Sequence, residues 1–144
     1  MQSLKNLRRP FVFVPMAADL FHHGHINILL KAKKYGTVIV GLVTDNGIKS
    51  YKKRKPLINF SNRKKILMQI KCVDKIIALN GLEYVRFSKF YKFEYVVHGD
   101  DWKKNVQSNE RLKLIKIMKK WKGKVLEFPY TKGISSSKLK KRIL

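Results

Sequence analysis

Five short apolar runs, each separated from the next by a longer amphipathic stretch, constrain this chain more than any other feature. They are Phe11 to Val14, Thr37 to Thr44, Lys75 to Leu79, Glu94 to His98 and Lys124 to Phe128. Runs of this length, rich in β-branched and aromatic residues, predict strands buried on both faces. Their alternation with helical stretches predicts a parallel sheet covered by helices on both sides. The expected fold class is therefore α/β: a doubly wound five-stranded parallel sheet in three layers, α/β/α. At 144 residues the chain is expected to form one domain, residues 1–144, without repeats or low-complexity linkers.

The intervening stretches read as helices with recognisable ends. Ile26 to Lys34 is amphipathic, and Gly36 after it suits a helix C-cap. Asn62 to Val73 puts Ile66, Leu67, Ile70 and Val73 on one face, with Ser61 as the expected N-cap. Cys72 falls late on that stripe and reads as a buried structural thiol; as a single cysteine it excludes an intrachain disulfide. Ser50 to Lys55 reads as a basic loop closed by Pro56, and Asn80 to Lys92 as a turn with a short helix. Gln107 to Lys122 aligns Leu114, Ile115, Met118 and Trp121 before Gly123, and a basic tail helix, solvated and serine-capped, is expected after Ser135 to Ser137.

Charge sets the possible partners. Lys and Arg number 33 against 9 Asp and Glu, a net charge of +24. Such a surface attracts polyanions non-specifically. The lysines are scattered, with no arginine-rich or aromatic-interleaved block, so solvated faces that also favour small anionic substrates are the preferred reading over a nucleic-acid surface. Lys5, Arg8 and Arg9 before an apolar stretch resemble a signal peptide superficially, but Pro15 and Asp19 interrupt it. No apolar run has the length of a membrane span. A soluble, cytoplasmic protein is expected.

The chemistry is expected to centre on Asp19-Leu20-Phe21-His22-His23-Gly24-His25, between the first strand and the first helix. A helix start presents unpaired N–H groups and the positive end of its dipole, which favours phosphate oxygens. Gly24 lets backbone approach a ligand, and His22 and His25 add donors to an oxygen that gains charge in phosphoryl transfer. A histidine run can also be a solvated loop or a chance metal scavenger. Metal ligation is disfavoured, because the cysteine is distant and no HExxH or CxxC spacing accompanies the pair; no protein-held metal site is expected. In open parallel sheets ligands bind beyond the carboxyl ends of the strands. His22 and His25, the 52–55 loop, Gly99 to Trp102 and Thr131 to Ser136 all follow strands, so they are expected to converge on one rim.

The HxGH of residues 22–25 together with Gly133-Ile134-Ser135-Ser136 is similar to the nucleotidyltransferase superfamily, which has a Rossmann-like fold. Gly99-Asp100-Asp101-Trp102 resembles the motif of glycerol-3-phosphate cytidylyltransferases. The closer resemblance is to the 2-aminoethylphosphonate cytidylyltransferases of phosphonate biosynthesis. It rests on Ala18-Asp19-Leu20 before HHGHINI, on Tyr95-Val96-Val97-His98-Gly99-Asp100-Asp101-Trp102, and on Pro129-Tyr130-Thr131 before GIS. It runs from about Phe11 to the C-terminus.

That resemblance implies transfer of CMP from CTP to a small phosphonate, 2-aminoethylphosphonate or a relative such as hydroxyethylphosphonate, with release of pyrophosphate. Glycerol 3-phosphate, phosphocholine or phosphoethanolamine would be alternative acceptors, and a basic nucleic-acid-binding protein is the reading from another class. Implied too are Mg²⁺ carried mainly on the CTP phosphates, and a homodimer. By position, His22 and His25 would hold the phosphates and stabilise the transition state. Lys53, or Lys52 one residue earlier, would neutralise developing charge, and Arg63 would reach the triphosphate or the acceptor. Ala17, Ala18, Asp19 and Gly24 would line the CTP site, with Asp19 orienting its loop. Gly99, Asp100, Asp101 and Trp102 would frame the nucleoside. Tyr130, Thr131, Gly133, Ile134, Ser135 and Ser136 would follow the triphosphate. Relatives usually carry Gly or Ser around Pro15 and Ala17, and Glu at Lys132. An aminoethyl group needs a carboxylate or an aromatic cage, for which Asp45 is one candidate and helix capping its other role.

Overall fold

In a computed structural model, which describes residues 1–143, five strands form one all-parallel sheet in the order β3-β2-β1-β4-β5. The strands are β1 Phe11–Met16, β2 Thr37–Val43, β3 Lys75–Leu79, β4 Tyr95–Gly99 and β5 Lys124–Phe128. The helices are α1 His23–Lys33, α2 Asp45–Lys52, α3 Phe60–Met68, α4 Tyr84–Tyr91, α5 Ser108–Met118 and α6 Ser136–Ile143.

Side chains alternate across each strand, and here both faces are apolar. Phe11, Phe13, Ile39, Val43, Ile77, Leu79 and Val96 face one core, shared with Ile48 of α2, Tyr84, Phe87 and Tyr91 of α4, and Leu114 and Met118 of α5. Val12, Val14, Val38, Val40, Leu42, Ile76 and Val97 face the other, shared with Leu29 and Ala32 of α1 and Leu67 of α3. The expected three-layer α/β/α arrangement is thus the observed one. Strand order reverses between β1 and β4, the switch point at which such sheets open a crevice. The β1–β4 register covers Val12↔Tyr95 and Phe13↔Val96. Pro15, which has no N–H to donate, lies beyond those pairs and lines the crevice.

Several local expectations are corrected. The stripe from Asn62 to Val73 is not one helix: α3 stops at Met68, and Ile70, Cys72 and Val73 follow in turns, half-buried against the core. Asn59, not Ser61, caps α3, accepting from the Asn62 amide at 3.0 Å. Ser50 to Lys52 belongs to α2, which Thr44 caps through the Gly47 amide and which ends on Lys53 in the left-handed region, φ 56°. Lys34, not Gly36, occupies the C-cap of α1. The last helix is not simply solvated: Lys140 is buried.

Candidate active site

The β1–α1 connection is held by its own sequence. The backbone amide of Gly24 donates to His22 Nδ1 at 3.0 Å, and the amide of His22 donates to His25 Nδ1 at 3.1 Å. This is a reciprocal capping box in which imidazoles replace the usual hydroxyl and carboxylate. Two consequences follow. Each Nδ1 accepts, so each ring is the Nε2–H tautomer with its donor free. Each ring also stays neutral: burial, then His22 and Lys52, pull His25 down to about 3, while burial and then His23 lower His22. The ring centroids lie 4.1 Å apart. A Cβ on Gly24 would stand 2.8 Å from His22 Cε1, so only glycine leaves room for the ring.

These imidazoles line a cleft of about 300 Å³ over the switch point. From β1 come Val14 to Met16 and then Ala17 to Asp19; from α2, Tyr51 and Lys52; from the end of β4, His98, Gly99 and Asp101; from the β5 connection, Tyr130, Thr131, Ile134, Ser135 and Ser136. Asn27 of α1 donates to Thr131 Oγ1 at 3.1 Å, tying the two loops together. The expected convergence of loops remote in sequence is therefore observed: His22, His25, Ala17, Ala18, Asp19, Gly24, Lys52, Gly99, Asp101, Tyr130, Thr131, Ile134, Ser135 and Ser136 all border one cavity.

Six of the residues expected there are elsewhere. Lys53 caps α2, its backbone amide donating to Lys49 O, and does not border the cleft; the cleft-lining lysine is Lys52. Burial, with Lys140 and Arg54 nearby, lowers the Lys52 pKa. Arg63 is buried rather than free to reach a ligand: Nε donates to Ile58 O at 2.8 Å, Nη1 to Ala17 O and Val43 O at 2.7 Å each, and Nη2 to Asp45 Oδ1 at 2.7 Å. It braces the site floor from behind. Trp102 is also in the core. Its ring stacks on His98 with centroids 3.9 Å apart and planes within 2°, and its Nε1 donates to Glu127 at 2.6 Å. Arg111 grips the same carboxylate at 2.8 and 2.9 Å, and with burial opposing, these donors hold Glu127 below its ordinary pKa. Asp100 and Gly133 do not border the cleft; Gly133 takes φ 82° in the turn before α6, where glycine is at ease. Asp45 pairs with Arg63 and borders a separate groove with Lys55 to Asn59, so it is not the carboxylate facing the cleft.

Sequence reasoning passed over His98, Tyr51, Tyr84, Gln107 and Lys140. The first four line the cleft. Burial raises Tyr51 to about 12 and Tyr84 well up, so both remain phenols, and Tyr84 donates to Gln107 Oε1 at 2.7 Å. Lys140 could have been found from its spacing, one helical turn after Ser136 on the same face.

Could the cleft hold a divalent cation? Among the described residues no cluster of three or more His, Cys, Asp or Glu is arranged to cage one. Asp101 and the hydroxyls of Thr131, Ser135 and Ser136 do border the cavity. That donor set suits Mg²⁺ carried on nucleotide phosphates, an ion that keeps most of its waters, better than a protein-built cage.

Comparison with known proteins identifies relatives of this chain. A cytidylyltransferase-like family model matches residues 17–142. A glycerol-3-phosphate cytidylyltransferase of Bacillus subtilis is 29% identical over 126 residues, 87% of this chain and 90% of that protein. A probable ethanolamine-phosphate cytidylyltransferase of Schizosaccharomyces pombe is 30% identical over 131 residues, 88% of this chain and 34% of that protein. A bifunctional protein HldE of Helicobacter pylori is 30% identical over 71% of this chain, which spans only 22% of its length. Among solved structures, a lipopolysaccharide core biosynthesis protein of Thermoplasma volcanium superposes with a TM-score of 0.70 at 20% identity, over 84% of this chain and 97% of that one. The fold, the rim of converging loops and the family match together make this chain a member of the cytidylyltransferase-like family.

Proposed function

We propose that the protein transfers CMP from CTP to a small phosphonate or phosphate monoester, releasing pyrophosphate, with 2-aminoethylphosphonate as the leading acceptor in phosphonate biosynthesis. The observation that carries this is the pair of neutral imidazoles, each with Nδ1 tied to backbone, bordering the same cleft as Lys52, Ser135 and Ser136.

An oxygen of the acceptor's phosphonate attacks the α-phosphorus of CTP, and the bond to the bridging oxygen of pyrophosphate breaks. No covalent enzyme intermediate is required, so catalysis is positioning and electrostatics. His22 and His25 donate Nε2–H bonds to phosphoryl oxygens as charge builds there. Because both rings are fixed through Nδ1, these donors need no reorganisation. Lys52 adds a mobile cation for the departing pyrophosphate, and Ser135, Ser136 and Thr131 add hydroxyl donors. Mg²⁺ arriving with CTP would screen the charge between phosphates. Gly99, Tyr130 and Asp101 would face the nucleoside.

Tyr51, Tyr84, His98 and Gln107 also border the cleft, and Asp101 is the solvent-exposed carboxylate bordering it. Phenol rings beside a carboxylate suit a primary ammonium, which favours the aminoethyl acceptor. Glycerol 3-phosphate is the second reading, favoured by the 90% of the Bacillus subtilis enzyme that this chain spans.

Pyrophosphate release should be followed with CTP and, in turn, 2-aminoethylphosphonate, hydroxyethylphosphonate, ethanolamine phosphate and glycerol 3-phosphate. The expected preference is for the first. A clear preference for glycerol 3-phosphate would end the phosphonate reading, and His22→Ala should lose roughly 100-fold or more of the turnover. Tight RNA or DNA binding at physiological salt with no turnover would instead support a nucleic-acid-binding protein.

A further inference from the structure

A buried ion pair lies beside the cleft. Asp19 is 2% exposed and Lys140 6%, and Lys140 Nζ stands 2.7 Å from Asp19 Oδ2. The same carboxylate accepts the amides of Leu57 and Ile58 at 3.0 Å each. Its backbone carbonyl accepts the Ser136 hydroxyl. Asp19 is flanked by Ala18 and Leu20, both in the left-handed region at φ 53° and 55°. Two such non-glycine residues persist only where surrounding contacts over-determine them. One carboxylate thus joins the HxGH loop, the segment after α2, and α6.

The electrostatic consequence matters more than the mechanical one. Asp19 borders the cleft, and burial alone would raise its pKa, but Lys140 and the two amides outweigh burial and keep it ionised. A fixed anion is the wrong neighbour for a triphosphate. We propose that Lys140 is a positioning residue that masks the charge of Asp19, so that the triphosphate of CTP can enter a cleft otherwise bordered by a bare buried carboxylate. This rests on the CTP reading above and adds to it a residue that acts through Asp19.

CTP binding by calorimetry, steady-state turnover and thermal unfolding separate the possibilities. Lys140→Met should weaken CTP binding and raise its KM by about tenfold or more, with kcat changed far less. The double variant Asp19→Asn, Lys140→Met removes both charges and should regain most of the lost affinity, although it has fewer contacts than either parent. Lys141→Met, which removes the same formal charge from the exposed face of α6, should shift binding less than about threefold. Should Lys140→Met fail to fold, Asp19→Asn alone decides: charge masking predicts CTP binding as tight as wild type or tighter, a mere bracket predicts weaker. A double variant no better than Lys140→Met, or Lys140→Met binding CTP like wild type, would overturn the inference. Wild-type protein that neither binds CTP nor releases pyrophosphate would overturn the cytidylyltransferase reading itself, a different result.

Discussion

Lys52 and Lys53 differ by one position in sequence and by their whole surroundings in space. Lys52 closes the last turn of α2 and borders the cleft; Lys53 caps that helix in a left-handed conformation and is not among the residues that border the cleft. Lys52→Ala should therefore reduce kcat/KM for CTP by tenfold or more, about 1.4 kcal/mol, while Lys53→Ala should leave it within about threefold; equal losses in the two variants would contradict the placement. His25 carries a second prediction. Its folded-state pKa is pulled down to about 3 by burial, from an ordinary 6.5. Below about pH 6.5 the unfolded chain binds a proton that the folded chain refuses, so stability must fall as pH drops through the window between those values. At about pH 5 the loss should be about 1–2 kcal/mol, seen as a lower urea midpoint than at neutral pH and diminished in His25→Asn.

At the scale of elements, three helices carry their cleft-lining groups at their ends. The start of α1 presents its imidazoles, the end of α2 its lysine, the start of α6 its serines. Arg63 on α3 is what fixes the relation between β1, β2 and α2, because one guanidinium satisfies three carbonyls and pairs with Asp45. Arg63→Ala would leave the Val43 carbonyl buried and unpaired, and the half-buried Ile58 and Ala17 carbonyls without their donor. It should cost roughly 2–4 kcal/mol of stability, measured by denaturant unfolding, and Arg63→Lys should not rescue it, because an ammonium cannot reproduce the planar fork. Stability near wild type in Arg63→Ala, with CTP binding lost, would mean that the arginine serves the ligand directly. The sequence reading expected a ligand contact for this residue; its burial depends on the segment 57–58 folding back under Asp19, which no local pattern announces.

For the molecule as a whole, a net charge of +24 would draw an anionic nucleotide such as the proposed CTP toward the protein. Long-range attraction of this kind is screened within about a Debye length, roughly 10 Å at 0.1 M salt. The KM for CTP should rise several-fold between about 0.05 and 0.5 M salt, while kcat, set by contacts inside the cleft, should stay nearly constant. Binding of RNA or DNA should vanish over the same range if it is only electrostatic.

What the sequence by itself determined is the sheet: apolar runs buried on both faces have few ways to be satisfied, and β3 and β5 fall on the residues that hydrophobic patterning marks. It determined also which loops meet, because strands that run parallel bring all their carboxyl ends to one edge. Only the tertiary structure decided which side chains on those loops face inward. Lys52 rather than Lys53, the burial of Arg63 and Trp102, the distance of Asp45 from the cleft and the Asp19–Lys140 pair are contacts between segments far apart in the chain. A helix ending one residue later or an arginine drawn under a loop changes no local propensity. It is settled by which polar groups find partners once the layers close.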